Sequence, residues 1–280
     1  MPLPADLLCK YGPWAVITGS SSGIGSQFAQ QLAASGFSLV LVARRSARLD
    51  DHAKCLRTLA PHPIEIRTLT ADLATDDGIR AVVEYTADLD VGLLVNNAGT
   101  VLHGSFFRHN PEAYQHMIAL NVTAVTMLAH AIGKRLGQRK RGGIVFTSSM
   151  AQSGFPNFPT YSATKSYVST LALLLRGELA PRGVDVLCLE PGAVESEIVD
   201  VLREEGVNLD AIGMKPMPVE DCVEEALRSL HRGDAKVTPG LMNKNMMAVA
   251  KLIPEQMRLG MLDTAMAKTM AENSRSFPED

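Results

Sequence analysis

The 280-residue chain is poor in the features that mark secreted, membrane-spanning or nucleic-acid-binding proteins. Its four cysteines, Cys9, Cys55, Cys188 and Cys222, lie far apart with no Cys-x-x-Cys spacing, and Cys188 falls inside an apolar run. This pattern argues against a disulfide framework and a structural zinc, gives no metal site to expect, and points to a reduced, cytoplasmic setting. No stretch approaches the roughly 18 uninterrupted apolar residues of a membrane span. The start, "MPLPADLLCKYGPWAVITG", lacks the basic segment and long apolar run of a signal peptide. A protein neither secreted nor membrane-spanning is expected. A formal charge of -3 gathers neither nucleic acid nor anionic lipid, and the one basic cluster, "GKRLGQRKRGG" at 133–143, reads as solvation of a helix end and a turn. There is no fixed-period repeat, no low-complexity tract and no linker long enough to divide the chain.

What is present is alternation. "WAVIT" is a short apolar run, followed by a glycine turn and by "SQFAQQLAASG", whose Phe28, Ala29, Leu32 and Ala33 recur at helical spacing and whose Gly36 is a stop signal. Next come a strand in "FSLVLVARR", a helix in "ARLDDHAKCLRTLA" closed before Pro61, and a strand in "IEIRTLTADL". The pattern continues with a helix around "DDGIRAVVEYTADL", the strand "VGLLVNNAG", a helix over 112–134, the strand "GGIVFTSS", a helix over 159–179 and the strand "VDVLCLEPGAV". Strands that are apolar throughout and alternate with helices predict an α/β fold: a doubly wound parallel sheet with helices on both faces. One such domain accounts for residues 1–240. Residues 241–280 are a methionine-rich extension of the same domain, helical after Pro254 and ending in a polar tail.

The turn after the first strand, "VITGSSSGIG", sets Gly19, Gly23 and Gly25 where a helix begins. A helix N-terminus offers unpaired N–H groups and partial positive charge, so a glycine turn there admits a pyrophosphate. The end of the second strand reads Ala43, Arg44, Arg45. No acid stands there to accept from a ribose 2'-OH, whereas a guanidinium can pair with a 2'-phosphate, so NADP(H) is favoured over NAD(H). Asp72 and Leu73, at the end of the third strand, suit either an adenine contact or an ordinary helix cap.

Tyr161 and Lys165 stand four apart, on one helix face, and Ser148 ends the preceding strand. A lysine cation near a phenol favours the phenolate and lowers a pKa that is otherwise near 10. Tyr161 can then exchange a proton with a substrate oxygen that Ser148 hydrogen-bonds while hydride arrives. Alone, a tyrosine and a lysine at this spacing are usually mere neighbours.

Taken together, Thr18-Gly19-x-x-x-Gly23-Ile24-Gly25, Asn96-Asn97-Ala98-Gly99, Ser148, Tyr161-x-x-x-Lys165 and Pro191-Gly192 resemble the short-chain dehydrogenase/reductase family, in order and spacing, over residues 12–240. The resemblance implies a Rossmann fold and an oxidoreductase in which Tyr161 is the general acid/base, Ser148 orients the carbonyl, and Lys165 lowers the Tyr161 pKa and holds the nicotinamide ribose. It implies that Asn121 anchors a water in the proton relay. Ser148 is favoured over Ser149 because it lies thirteen residues before the tyrosine. The resemblance puts Gly19, Ser21, Ser22, Gly23, Ile24 and Gly25 at the pyrophosphate, Asn97, Ala98 and Gly99 beside the adenosine ribose, and Pro191, Gly192, Val194 and Ser196 against the nicotinamide. Two positions depart from the pattern. Ser22 stands where some NADP(H)-preferring members are basic, leaving the preference to Arg44 with help from Arg45, and Ser196 stands in place of a threonine.

The same resemblance places Val101, Met150 and Phe155, with Leu102, Val194 and Val199, around the substrate; all are apolar, and a small hydrophobic ketone or secondary alcohol is expected. A 3-oxoacyl thioester is the alternative, and a non-catalytic NADP(H)-binding regulator the second. His103 is a further candidate acid, though a loop histidine more often faces solvent. In the tail, Met257, Met261, Leu262, Ala265, Met266, Thr269 and Met270 form a helical stripe that suits packing on its own domain or a subunit partner, a lid, or a bilayer. Mixed charges on its other face, Glu255, Arg258, Asp263 and Lys268, argue against lipid. A homodimer or homotetramer through the helices bearing Asn121 and Tyr161 is implied by the family.

Overall fold

The computed structural model describes residues 3–207, 209 and 214–267. After a short helix α1 (Leu7–Tyr11), strands and helices alternate: β1 (Trp14–Thr18), α2 (Gly23–Ala34), β2 (Ser38–Ala43), α3 (Ser46–Leu59), β3 (Ile66–Thr70), α4 (Asp76–Tyr85) and β4 (Val91–Asn96). Then follow α5 (Pro111–Ile118), a π-helical turn over Ala119–Ala124, α6 (Val125–Arg139), β5 (Gly142–Thr147), α7 (Pro159–Leu179) and β6 (Val184–Leu189). The described part closes with α8 (Glu197–Glu204), α9 (Val219–Arg232), β7 (Lys236–Val237), α10 (Leu241–Ala250) and α11 (Glu255–Met266).

The strands pair in the order β3-β2-β1-β4-β5-β6-β7, every neighbour parallel. Strand side chains alternate between faces, and β2 shows the result: Leu39 and Leu41 enter one core with Phe28, Leu32 and Leu230, while Val40 and Val42 enter the other with Leu128, Ile132 and Phe146. Two covered faces are what the unbroken apolar runs required. The order of strands reverses between β1 and β4, so a crevice opens there at their carboxyl ends, where α/β sheets bind ligands.

The segment 64–73 pairs only over Ile66–Thr70, because β3 is an edge strand and the chain turns off the sheet at Ala71. The helix expected over 112–134 runs instead over 111–139, interrupted by the π turn that contains Asn121. Length and composition would let Pro111–Arg139 cross a membrane, but Leu120, Leu128, Ile132 and Leu136 pack it on the sheet. Helix α9 buries Cys222, Val223, Ala226, Leu227 and Leu230, a helical stripe that covers β6 and β7.

The extension folds back on the domain. Asn243, in the first turn of α10, is buried against Gly192, and Met266 of α11 is fully buried in an apolar cluster beside the crevice. Of the methionine-rich stripe, Thr269 and Met270, with Lys268, lie outside the described residues.

Candidate active site

The crevice is a cleft of about 480 Å³. Gly19, Ser21, Ser22, Gly23, Ile24, Arg44, Arg45, Asp72, Leu73, Asn97, Ala98, Gly99, Val101, Ser148, Tyr161, Lys165, Pro191, Gly192, Val194 and Ser196 all line it. Gly25, Asn121, Met150 and Phe155 do not.

At one end stands the glycine turn. Gly19 and Gly23 have φ of +67° and +52°, left-handed values that favour glycine. Gly25 serves differently from expectation: a Cβ there would lie 2.3 Å from the Gly19 carbonyl oxygen and 2.6 Å from Asn97 Nδ2. Its bareness lets α2 pack on the turn rather than admitting a ligand. Thr18 Oγ1 accepts from the N–H groups of Asn97 and Ala98, both at 2.9 Å, and Asn97 Nδ2 donates to the Thr18 carbonyl at 3.0 Å. The two motifs are thereby fixed to each other. The N-cap residue of α2, Ser22, makes no side-chain capping bond. The N–H groups of that first turn remain available to an anion.

Arg44 makes no side-chain hydrogen bond or ion pair with the described residues and is exposed at the cleft. Arg45 Nη2 donates to Ser22 Oγ at 2.8 Å and to Ser21 Oγ at 3.0 Å. Its guanidinium thus brings positive charge back to the position where Ser22 lacks it. Arg45 also pairs with Glu197, as does Arg48, two residues that sequence reasoning passed over. Asp72 turns its carboxylate onto the Ala74 N–H at 3.0 Å, while Thr75 caps α4. Ser196 Oγ donates to the Val194 carbonyl at 2.9 Å. The free guanidinium, the uncapped helix and an elongated cleft reaching Lys165 suit a phosphorylated dinucleotide.

At the other end lie the candidate reacting groups. Lys165, buried at 6% exposure, donates from Nζ to the Thr147 carbonyl at 2.8 Å. Burial pulls its pKa down to about 8. Nζ stands 5.8 Å from the centre of the Tyr161 ring. The phenol's pKa is raised by its burial, and the nearby Ser149 hydroxyl opposes this. Desolvation of the phenol sets the direction of the shift.

The two serines of the cleft are held differently. Ser148, 1% exposed, donates to the backbone carbonyl of Lys165 at 2.7 Å. Its N–H continues the strand pairing onto the Leu189 carbonyl, so its side chain is turned into the α7 packing. Ser149, twelve residues before Tyr161, is the serine whose hydroxyl acts on the phenol. Asn121 is buried behind the cleft and spans two segments: Oδ1 accepts from the Thr100 N–H at 2.9 Å, and Nδ2 donates to the Thr100 carbonyl at 2.9 Å and to Thr164 Oγ1 at 3.1 Å.

Around Tyr161, an apolar cluster joins Phe158, Val199, Leu202 and Met266 with the partly buried Val101 and Phe155. Met150 is not in it. Its side chain is buried beneath, and its N–H bonds the Pro191 carbonyl at 2.9 Å. Phe155 lines a separate open groove of about 940 Å³ against α11, where Arg258 bonds the carbonyls of Ser153 and Gly154. His103 pairs with Glu205 at the end of α8 and packs on Phe158. No cluster of potential metal ligands occurs among the described residues.

A family model described as short chain dehydrogenase matches residues 13–206. A very-long-chain 3-oxoacyl-CoA reductase-like protein of Arabidopsis thaliana is 34% identical over 197 residues, 69% of this chain and 63% of its own length. Human 17-beta-hydroxysteroid dehydrogenase type 3 is 32% identical over 204 residues, 72% of this chain and 65% of that one. The chain thus spans less than two thirds of these relatives. Among solved structures, a short-chain dehydrogenase from Sphingobium yanoikuyae in complex with NADPH superposes with a TM-score of 0.77 at 32% identity, covering 94% of this chain and all of that one.

Proposed function

The chain belongs to the short-chain dehydrogenase family, and from that premise we propose that it is an NADP(H)-dependent reductase of a carbonyl group carried on an apolar body. The observation that carries this reading is the convergence of Tyr161, Ser149 and Lys165 at one end of the cleft whose other end holds the free guanidinium of Arg44. When bound, the cofactor supplies or takes the hydride. The chain does the rest. Ser149 and the Tyr161 hydroxyl hydrogen-bond the carbonyl oxygen, and the phenol passes its proton to that oxygen as charge develops there. Lys165, with a pKa of about 8, is mostly a cation at neutral pH and favours the phenolate so formed. Asn121 ties the Thr100 segment to α7, which keeps the wall opposite Tyr161 in register.

Arg44 and Arg45, with no acid at the end of β2, support NADP(H). The NADPH complex of the Sphingobium relative agrees in kind. Phe158, Val199, Leu202 and Met266 support an apolar substrate. The Arabidopsis relative's name favours a second reading, a 3-oxoacyl thioester, whose acyl chain would need the same lining. Exposed Met127, Tyr167 and Leu174 on α6 and α7 suit a homo-oligomer.

The test is NADPH oxidation against hydrophobic ketones, hydroxysteroid precursors and 3-oxoacyl thioesters, with NADH and Tyr161→Phe as controls. Turnover on ketones with NADPH, lost in Tyr161→Phe, supports the first reading. Turnover confined to thioesters supports the second. Turnover that survives Tyr161→Phe defeats both.

A further inference from the structure

Glu197 occupies a place that neither the proton-transfer chemistry nor the apolar pocket explains. It is the first residue of α8, and one face of that helix, Val199 and Leu202, is buried in the cluster around Tyr161. Its carboxylate reaches across the cleft to the opposite rim: Oε2 lies 2.8 Å from Arg45 Nη1, and Oε1 pairs with Arg48. The same Arg45 guanidinium holds Ser21 and Ser22 through Nε and Nη2. Every nitrogen of Arg45 is therefore engaged, and the Glu197 contact alone sets a charge against it. Both arginines hold the Glu197 carboxyl below the usual carboxylate range, against the opposing effect of its burial.

A 2'-phosphate finds the Arg44 guanidinium free, but the donors it needs from Arg45 are already committed. It carries about -1.5 to -2 at neutral pH, against the single charge of the carboxylate. The exchange most favourable to it is with Glu197, since the serine hydroxyls can keep their contacts. From this geometry we infer that Glu197 is a specificity-determining residue: it competes with the cofactor's 2'-phosphate for Arg45 and Arg48 and so couples the identity of the dinucleotide to the seating of α8 over the substrate pocket. This inference rests on the NADP(H) reading above. It has two consequences. Removing the carboxylate strengthens binding of a 2'-phosphate and leaves its 2'-hydroxyl counterpart unaffected. By linkage, binding a 2'-phosphate loosens the first turn of α8.

Adenosine 2',5'-bisphosphate and adenosine 5'-monophosphate probe the rim alone, with no nicotinamide and no turnover. Calorimetry on the full chain should show Glu197→Gln tightening the bisphosphate about fivefold, the scale of one partly screened unit charge at the half-exposed rim, and leaving the monophosphate unchanged. Added salt should shrink that gain, and Glu197→Ala should move the same way. In the unaltered chain, hydrogen exchange over 197–204 should quicken with the bisphosphate and not with the monophosphate. Glu197→Gln binding the bisphosphate equally or more weakly, or tightening both ligands alike, overturns the inference while leaving the NADP(H) reading intact. A bisphosphate that binds the unaltered chain no better than the monophosphate overturns both.

Discussion

The Ser148 hydroxyl donates to the Lys165 backbone carbonyl at 2.7 Å, which leaves the hydroxyl of its neighbour Ser149 as the one that acts on the Tyr161 phenol. Both serines line the cleft, but adjacent residues at a strand end point to opposite sides, and the Ser148 hydroxyl is the one already committed to a backbone carbonyl.

Ser149→Ala should therefore lower kcat by about 10²–10³-fold, the usual cost of losing a donor to a developing oxyanion, with about 1 kcal/mol of stability lost with its cap on the Ala151 N–H. Ser148→Ala removes a buried hydrogen bond instead. It should cost about 1 kcal/mol of stability and less than about tenfold in kcat. Steady-state kinetics and thermal melts on the two variants check this; a Ser148→Ala enzyme more impaired in kcat than Ser149→Ala would reverse the assignment.

The serine choice also shows what was legible in the sequence and what was not. The order of strands and helices was, because continuous apolar runs and glycine stops are local. So was Arg44, at a strand end, and so were Tyr161 and Lys165 as part of the whole motif set, since their four-residue helical spacing alone marks no site. The choice between Ser148 and Ser149 is not fixed by counting, since counting back from Tyr161 assumes a loop length. Nor was the π turn at Asn121 legible, since its extra residue leaves no mark on apolar periodicity. Arg45, Arg48 and Glu197 meet across about 150 positions, and no local pattern announces such a contact. The two-residue β7 is too short to carry a period at all.

Lys165 illustrates a functional group held at a cost to stability. Burial lowers its pKa from 10.5 to about 8, so between those values the unfolded chain holds a proton that the folded chain has released. Stability then rises with pH across that window, and below about 8 the full penalty applies, on the order of 3 kcal/mol. Lys165→Met removes the penalty but leaves the Thr147 carbonyl without its donor, an offset of about 1–3 kcal/mol. The variant should lose turnover by about 10²–10⁴-fold yet melt at or above the parent at pH 7. Its margin over the parent should shrink as the pH is raised from 8 to 10.5. Melting clearly below the parent at pH 7 would contradict the argument.

Arg44 offers a cleaner test of cofactor choice than Arg45, because it makes no hydrogen bond or ion pair with the described residues. Arg44→Ala should leave the melting temperature unchanged and weaken NADPH binding about ten- to a hundredfold, the worth of a charge-assisted hydrogen bond. Binding of NADH should stay as it was. Fluorescence titration of both cofactors decides the matter, and equal weakening of the two would remove Arg44 from the 2'-phosphate site.

The nicotinamide end of the cleft depends on a steric fit between the domain and its extension. A Cβ at Gly192 would lie 2.9 Å from both Nδ2 and Oδ1 of Asn243. Asn243 has little room to yield: it is 6% exposed, and its Nδ2 donates to the Pro239 carbonyl at 2.8 Å. Gly192→Ala should therefore displace the Pro191-Gly192 turn or the first turn of α10, raising KM for the cofactor with a smaller change in stability. Asn243→Ala vacates the space the methyl group needs, at the cost of one buried hydrogen bond. The double variant Gly192→Ala/Asn243→Ala should consequently bind the cofactor better than Gly192→Ala alone. That rescue would show that α10 acts on the turn by direct contact, whereas additive losses in the double variant would mean that the two residues affect the cleft independently.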